Sequence, residues 1–151
     1  MSGTEVADVY VNFDVLLKAY EHFVRKLPKE AMGFLLGDRF TYRGKEWIEI
    51  TDYVPVEAEA SETRVAPLEG ALVEVGKLLQ RKNLLVVGWA HSHPGYGCFL
   101  SNIDLETQKR YFPYDYQVAL VVDPYTMEYD IFVLKGGTYV RPHFKEVIRR
   151  R

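Results

Sequence analysis

The feature that most restricts this chain is an apolar run, Leu84 to Ala90, that ends in two histidines, His91 and His93. Hydrophobic residues at consecutive positions over a strand's length must be covered on both faces, so the run predicts a central strand packed between layers. Residues two apart on a strand point to one face, and both imidazoles therefore leave its end in the same direction. Pro94, Gly95 and Gly97 then turn the chain, and Ser101 followed by Asp104 has the spacing of a capping box that opens a helix through Thr107 and Arg110. An aspartate in a first helical turn is held ionised by the positive end of the dipole, the state a metal ligand needs.

Two neutral imidazoles and one carboxylate would leave a bound Zn2+ with net positive charge and an open position. Catalytic zinc sites are made this way, whereas structural sites are closed by four protein ligands, mostly thiolates. Cys98 is the only cysteine, so a thiolate-closed site and an internal disulfide are both excluded.

The pattern H-x-H-x7-S-x2-D, set in GWAHSHPGYGCFLSNID, resembles the signature of the JAMM (MPN+) zinc metalloproteases and looks closest to those of the proteasome lid and the COP9 signalosome. That family also carries a glutamate in an upstream E-x-M-G-x-x-x-G segment, and EAMGFLLG stands at Glu30 to Gly37. The resemblance implies an MPN fold, a mixed α/β (α+β), cytidine-deaminase-like architecture whose central, mostly antiparallel, curved sheet is flanked by helices. It implies one catalytic domain over residues 1–151. By the same resemblance His91, His93 and Asp104 hold one Zn2+, Glu30 is general base and acid beside the attacking water, and Ser101 donates to the oxyanion. The implied reaction is hydrolysis of the isopeptide bond between the C-terminus of ubiquitin, or of a ubiquitin-like protein, and a lysine. The proteasome or another MPN-domain subunit is the implied partner. A small sulfur-carrier-like modifier of archaea or bacteria is the alternative substrate, and a non-catalytic MPN scaffold the alternative role. Ala90 departs from the tyrosine common in relatives, and the family's second insertion is missing, which implies a compact enzyme.

Along the rest of the chain, Val9, Val11 and Phe13 alternate as a first strand. Val15, Leu16, Ala19, Tyr20, Phe23, Val24 and Leu27 recur at helical spacing, predicting a helix from an N-cap at Asp14 to Pro28 with His22 as a solvated surface residue. Ala31 to Leu36 reads as a buried strand with Glu30 at its entry, Asp38 to Lys45 as a turn, and Trp47 to Val56 as the partner strand. Glu57 to Arg64 is acidic and rich in small residues and reads as a loop; the resemblance places it in the family's first insertion, bordering the site and touching the substrate's C-terminal tail. Leu68 to Leu79 form a second amphipathic helix with Pro67 in its first turn. An aromatic loop from Tyr111 to Tyr116 leads to a strand at Val118 to Val122, a turn at Asp123-Pro124, and a partner strand from Met127 to Leu134. Phe144, Val147 and Ile148 have helical spacing and predict a short docking helix in a tail, 142–151, that ends in Arg149, Arg150 and Arg151. His143 reads as a surface residue.

Nineteen basic against 21 acidic residues leave a net charge of -2, which gives no general attraction for nucleic acid or an anionic membrane. No apolar run reaches the roughly 20 residues that span a bilayer, and the first ten residues lack the pattern of a secretory signal, so a cytoplasmic location is expected. A cysteine hydrolase built on Cys98 competes with the metal reading, but histidines engaged by a metal leave that thiol without a base.

Overall fold

The computed structural model describes residues 7–148. Strand β1 (Asp8–Asn12) leads into helix α1 (Phe13–Lys26), then β2 (Met32–Tyr42), β3 (Lys45–Val56), the short β4 (Ala58–Ala60) and β5 (Val65–Pro67), and helix α2 (Glu69–Lys82). The second half runs through β6 (Leu85–Ser92), α3 (Asn102–Tyr111), β7 (Val118–Asp123), β8 (Glu128–Lys135), β9 (Thr138–Val140) and β10 (Phe144–Val147). Eight strands make one curled mixed sheet in the order β10-β1-β3-β2-β6-β7-β8-β9, and β4 pairs with β5 separately. The histidine strand β6 is interior as expected, antiparallel to β2 and parallel to β7. Two further parallel pairings, β1 with β10 and β1 with β3, make the sheet more evenly mixed than mostly antiparallel.

The sheet divides the core in two. On one side Val9, Val11, Leu35, Ile48, Ile50 and Leu120 meet Val15, Ala19 and Phe23 of α1. On the other, Met32, Phe34, Leu36, Trp89 and Val121 pack with Val75 of α2 and Phe112 after α3. β2 alternates between these sides with the period of two that a pleated strand imposes. β6 does not: Val87 and Ala90 face α1, whereas Trp89 faces α2 and α3. The cause is a bulge, since Leu35 pairs with Gly88 but Leu36 pairs with Val86, which leaves Val87 as an extra residue. Gly88 is required there because a Cβ would lie 2.1 Å from the Val118 carbonyl oxygen. Close approach also accounts for both glycines of EAMGFLLG: a Cβ on Gly33 would enter the Tyr53 ring at 2.2 Å, and one on Gly37 would meet the Glu49 carbonyl at 1.8 Å.

Several expectations are corrected. The stretch Asp38 to Lys45 is strand apart from a tight turn at Arg43-Gly44, because the cross-strand partners Phe40 and Trp47 stack at 5.4 Å and Arg39 pairs with Glu46 at 2.7 Å. Part of the loop expected at Glu57 to Arg64 is the β4–β5 hairpin. Asn12, not Asp14, is the N-cap of α1, and Pro67 ends β5 rather than entering α2. The expected docking helix is instead strand β10, which covers the edge of β1 with parallel pairing, and Val9 N–H donates to the His143 carbonyl at 2.9 Å. Arg149, Arg150 and Arg151 lie outside the described residues. Among the described residues no helix is long and apolar enough to cross a membrane.

His22 is buried rather than solvated. It stands seven residues after Val15 and three after Ala19, which puts it on the apolar face of α1, and its Nδ1 lies 2.7 Å from the Tyr53 hydroxyl. Burial, helped by the charges of Lys26 and Arg25, pushes the imidazole down from 6.5 to about 4. Between those values the unfolded chain binds the proton and the folded chain does not, so stability falls as pH is lowered. Moving from pH 7 to pH 5 is expected to remove about 2 kcal/mol through this residue. Denaturant unfolding at both pH values checks this: His22→Gln is expected to lose most of that pH dependence.

Candidate metal centre

The bulge in β6 turns Trp89 and His91 towards α3, and the indole and imidazole stack with centroids 4.3 Å apart. His93 follows just beyond the strand end, its backbone N–H donating to the Val122 carbonyl at 2.9 Å. Helix α3 supplies the third group through the expected capping box: Asp104 N–H donates to Ser101 Oγ at 3.1 Å, and Ser101 N–H donates to Asp104 Oδ2 at 2.9 Å. A side-chain relay fixes this helix against the strand. Trp89 Nε1–H donates to Gln108 Oε1 at 2.5 Å, Gln108 Nε2 to the Gln117 carbonyl at 3.2 Å, and Gln117 Nε2 to the Val86 carbonyl at 2.9 Å.

The three groups converge as the sequence predicts. His91 Nε2 and His93 Nε2 are 3.1 Å apart, and Asp104 Oδ2 is 3.1 Å from the first and 2.9 Å from the second. All three residues are buried. Ligand atoms about 2.0–2.2 Å from a tetrahedral zinc stand roughly 3.3–3.5 Å from one another, so the triangle needs to open only slightly to take such an ion.

Proton accounting supports a cation at its centre. His93 Nδ1 lies 3.0 Å from the Gly97 carbonyl, which can only accept, so Nδ1 carries a hydrogen and Nε2 is the ring atom that faces Asp104. Burial holds the His91 imidazole below its ordinary value, against the pull of Asp104, and so favours the neutral ring. Burial opposes the charge of Asp104, yet His91, His93 and the Ser101 N–H together hold its carboxyl well below the usual carboxylate range. An ionised carboxylate beside an imidazole that burial holds towards its neutral form suits a metal-binding set.

Glu30 is brought to this cluster by strand pairing. Met32 of β2 pairs with His91, Ala31 N–H donates to Ser92 Oγ at 2.9 Å, and Ser92 N–H donates back to the Ala31 carbonyl at 3.0 Å. Ser92, between the two histidines, thus ties the glutamate segment to the ligand strand. The Glu30 side chain is 2% exposed, and burial, reinforced by the charge of Asp104, pushes its carboxyl up to about 8. Its Oε2 accepts from the Tyr96 hydroxyl, while its Oε1 is buried without a partner. The 57–64 segment borders this residue, since Glu30 N–H donates to the Ser61 carbonyl at 2.6 Å.

Ser101 Oγ uses one lone pair for Asp104 N–H and keeps its hydroxyl hydrogen free to donate. Cys98 lies apart from this chemistry: its thiol donates to the Glu128 carbonyl at 3.5 Å, and burial pushes it up to about 11, the opposite of an activated nucleophile. Sequence reasoning missed Ser92, Gln108, Gln117, Tyr96 and Asp123, which hold the site through hydrogen bonds with no fixed spacing. Only Ser92 and Tyr96 carried a signal, by lying inside the histidine motif.

Residues 4–116, which contain both the Glu30 segment and the histidine-aspartate cluster, match the family described as JAB1/Mov34/MPN/PAD-1 ubiquitin protease. The chain belongs to this family. It is 32% identical over 120 residues to the ubiquitin carboxyl-terminal hydrolase RPN11 of Saccharomyces cerevisiae, a match covering 77% of this chain and 38% of that protein. It is 40% identical over 111 residues to COP9 signalosome complex subunit 5 of Kluyveromyces lactis, covering 71% of this chain and 29% of that protein. The chain thus spans well under half the length of these relatives. Its fold is shared with protein DSY2949 of Desulfitobacterium hafniense, with a TM-score of 0.76 at 16% identity over 93% of this chain and 94% of that one.

A ligand present at about a hundred times its dissociation constant stabilises a fold by about 2.7 kcal/mol. Adding Zn2+ to the metal-free chain is therefore expected to raise the melting temperature by about 5–10 °C. Differential scanning fluorimetry is expected to show no such rise for His91→Ala, His93→Ala or Asp104→Ala.

Proposed function

We propose that this chain is a zinc-dependent isopeptidase that releases ubiquitin, or a ubiquitin-like modifier, from a lysine. One observation carries the reading: Glu30, a buried carboxyl with an unpartnered oxygen, feels the charge of Asp104 in a buried cluster of three convergent atoms able to ligate a metal. The family, and the ubiquitin carboxyl-terminal hydrolase activity for which the RPN11 relative is named, support the substrate class.

His91, His93 and Asp104 are the zinc ligands in this reading. The ion, when bound, supplies Lewis acidity towards the amide carbonyl and lowers the pKa of water to about 7. Glu30 Oε1 accepts the proton of the attacking water. A carboxyl poised near neutral pH can both take that proton and return it, and Glu30 passes it to the departing lysine amine, which then leaves uncharged. The Ser101 hydroxyl donates to the oxygen that gains charge as the carbonyl is attacked, a contact of a kind that is worth about 2.7–4 kcal/mol. The 57–64 segment, fixed to the Glu30 backbone, borders the path of the modifier's C-terminal tail. The relatives' places in the proteasome and the COP9 signalosome support work within a multi-subunit assembly, of which the proteasome or another MPN-domain subunit is the proposed partner.

The decisive experiment incubates the zinc-loaded chain with lysine-linked ubiquitin and with conjugates of small sulfur-carrier-like modifiers, with and without chelator. Chelator-sensitive release of modifier is expected, and zinc uptake with no release from any conjugate would favour a scaffold. Glu30→Gln is expected to keep its zinc while the cleavage rate falls by about 10²–10⁴. Cys98→Ser is expected to stay within about twofold of the parent rate, since this thiol is held neutral.

A further inference from the structure

The loop between the ligand strand and α3 carries two contacts that the mechanism above does not use. Tyr96 lies three residues beyond His93, its ring stacked on that imidazole with centroids 4.6 Å apart and planes at 22°. From there its hydroxyl reaches Glu30 Oε2. The backbone on either side is bent back by Gly95 and Gly97, at φ of 82° and 86° in the left-handed region. Asp123, 2% exposed, holds this bend: its Oδ1 accepts from Gly95 N–H and Tyr125 N–H, each at 3.0 Å, and its Oδ2 accepts from Gly97 N–H at 3.4 Å. No ion pair involves Asp123 among the described residues.

We infer that Tyr96 is a positioning residue for Glu30 and that Asp123, by clamping residues 95–97, sets the orientation of both Glu30 and His93. A glutamate has three side-chain torsions and two equivalent oxygens, so burial alone does not choose which oxygen faces the metal cluster. The Tyr96 hydroxyl takes Oε2 and leaves Oε1 as the free acceptor. Because the ring rests on His93, the glutamate is registered against a metal ligand rather than against its own strand. The same clamped bend presents the Gly97 carbonyl to His93 Nδ1, fixing the tautomer that turns Nε2 inwards. One buried carboxylate thus governs the aim of the proposed base and of a ligand.

This inference rests on the isopeptidase reading for its kinetic part, and its physical part is tested without turnover. In the zinc-loaded full chain, Tyr96→Phe and Glu30→Met are combined in a double-mutant cycle read by thermal unfolding. The double variant is expected to melt about 3 °C or more above the additive sum of the single shifts, because the second change removes a contact already lost. Asp123→Asn is expected to release zinc to a chromogenic chelator about tenfold faster. On the conjugate that the parent cleaves, Tyr96→Phe is expected to lower kcat about tenfold with KM and zinc content unchanged. Additive melting shifts together with parent-like zinc release from Asp123→Asn would overturn the inference. So would a parent-like kcat in Tyr96→Phe, or a fall matched by loss of zinc. If the parent cleaves no conjugate, the proposed function fails on its own, and the cycle with the zinc-release rate still decides whether Tyr96 and Asp123 hold these groups.

Discussion

Three atoms able to ligate a metal face one another across about 3 Å in a buried space, and the rest of the molecule is arranged to hold them there. In water His91 Nε2, His93 Nε2 and Asp104 Oδ2 would each find its own donor. Here they face one another, and among the described residues the Ser101 N–H is the one backbone donor to Asp104 Oδ2. An uncompensated cluster of this kind is unfavourable when desolvated, and a cation resolves it. Such convergence has to be imposed by rigid neighbours. The interior strand β6, covered on both faces, holds the histidines, and a capped helix holds the aspartate.

The links between these elements are polar and local. Ser92 closes two hydrogen bonds with Ala31, so the entry of β2 is tied to the end of β6. Trp89, Gln108 and Gln117 join α3 to β6 through side chains that also fill the interior. Gly37 and Gly88 let neighbouring backbone approach closely, and Gly33 makes room for the Tyr53 ring. Each link satisfies a buried donor or acceptor that would otherwise be unpaired, so the network both supports the fold and aims the site.

The convergence of His91, His93 and Asp104, the buried place of Glu30 and the motif helix were legible because they follow chain-local rules: a period of two on a strand, a three-residue spacing at a helix start, a glutamate before a buried run. His22 was misread because it sits at the edge of an apolar stripe, where a polar partner 31 residues away decides burial. Phe144 to Val147 has helical spacing but pairs as a strand, since the open edge of β1 offered hydrogen bonds that no local pattern encodes. The extension of β2 to Tyr42 depended likewise on Phe40 finding Trp47. Tyr96 was visible inside the motif, but the glutamate it contacts lies 66 residues earlier in the chain.

The capping box at Ser101 and Asp104 gives one oxygen two allegiances. Asp104 Oδ2 accepts the backbone N–H that ends the turn before α3 and also completes the triangle with the histidines. The first turn of α3 and the ion-binding corner therefore cannot be assembled independently. Whatever frays the start of that helix pulls Asp104 Oδ2 out of the triangle, and whatever draws the triangle together steadies the first turn of α3, so local chain order and the shape of that corner are coupled.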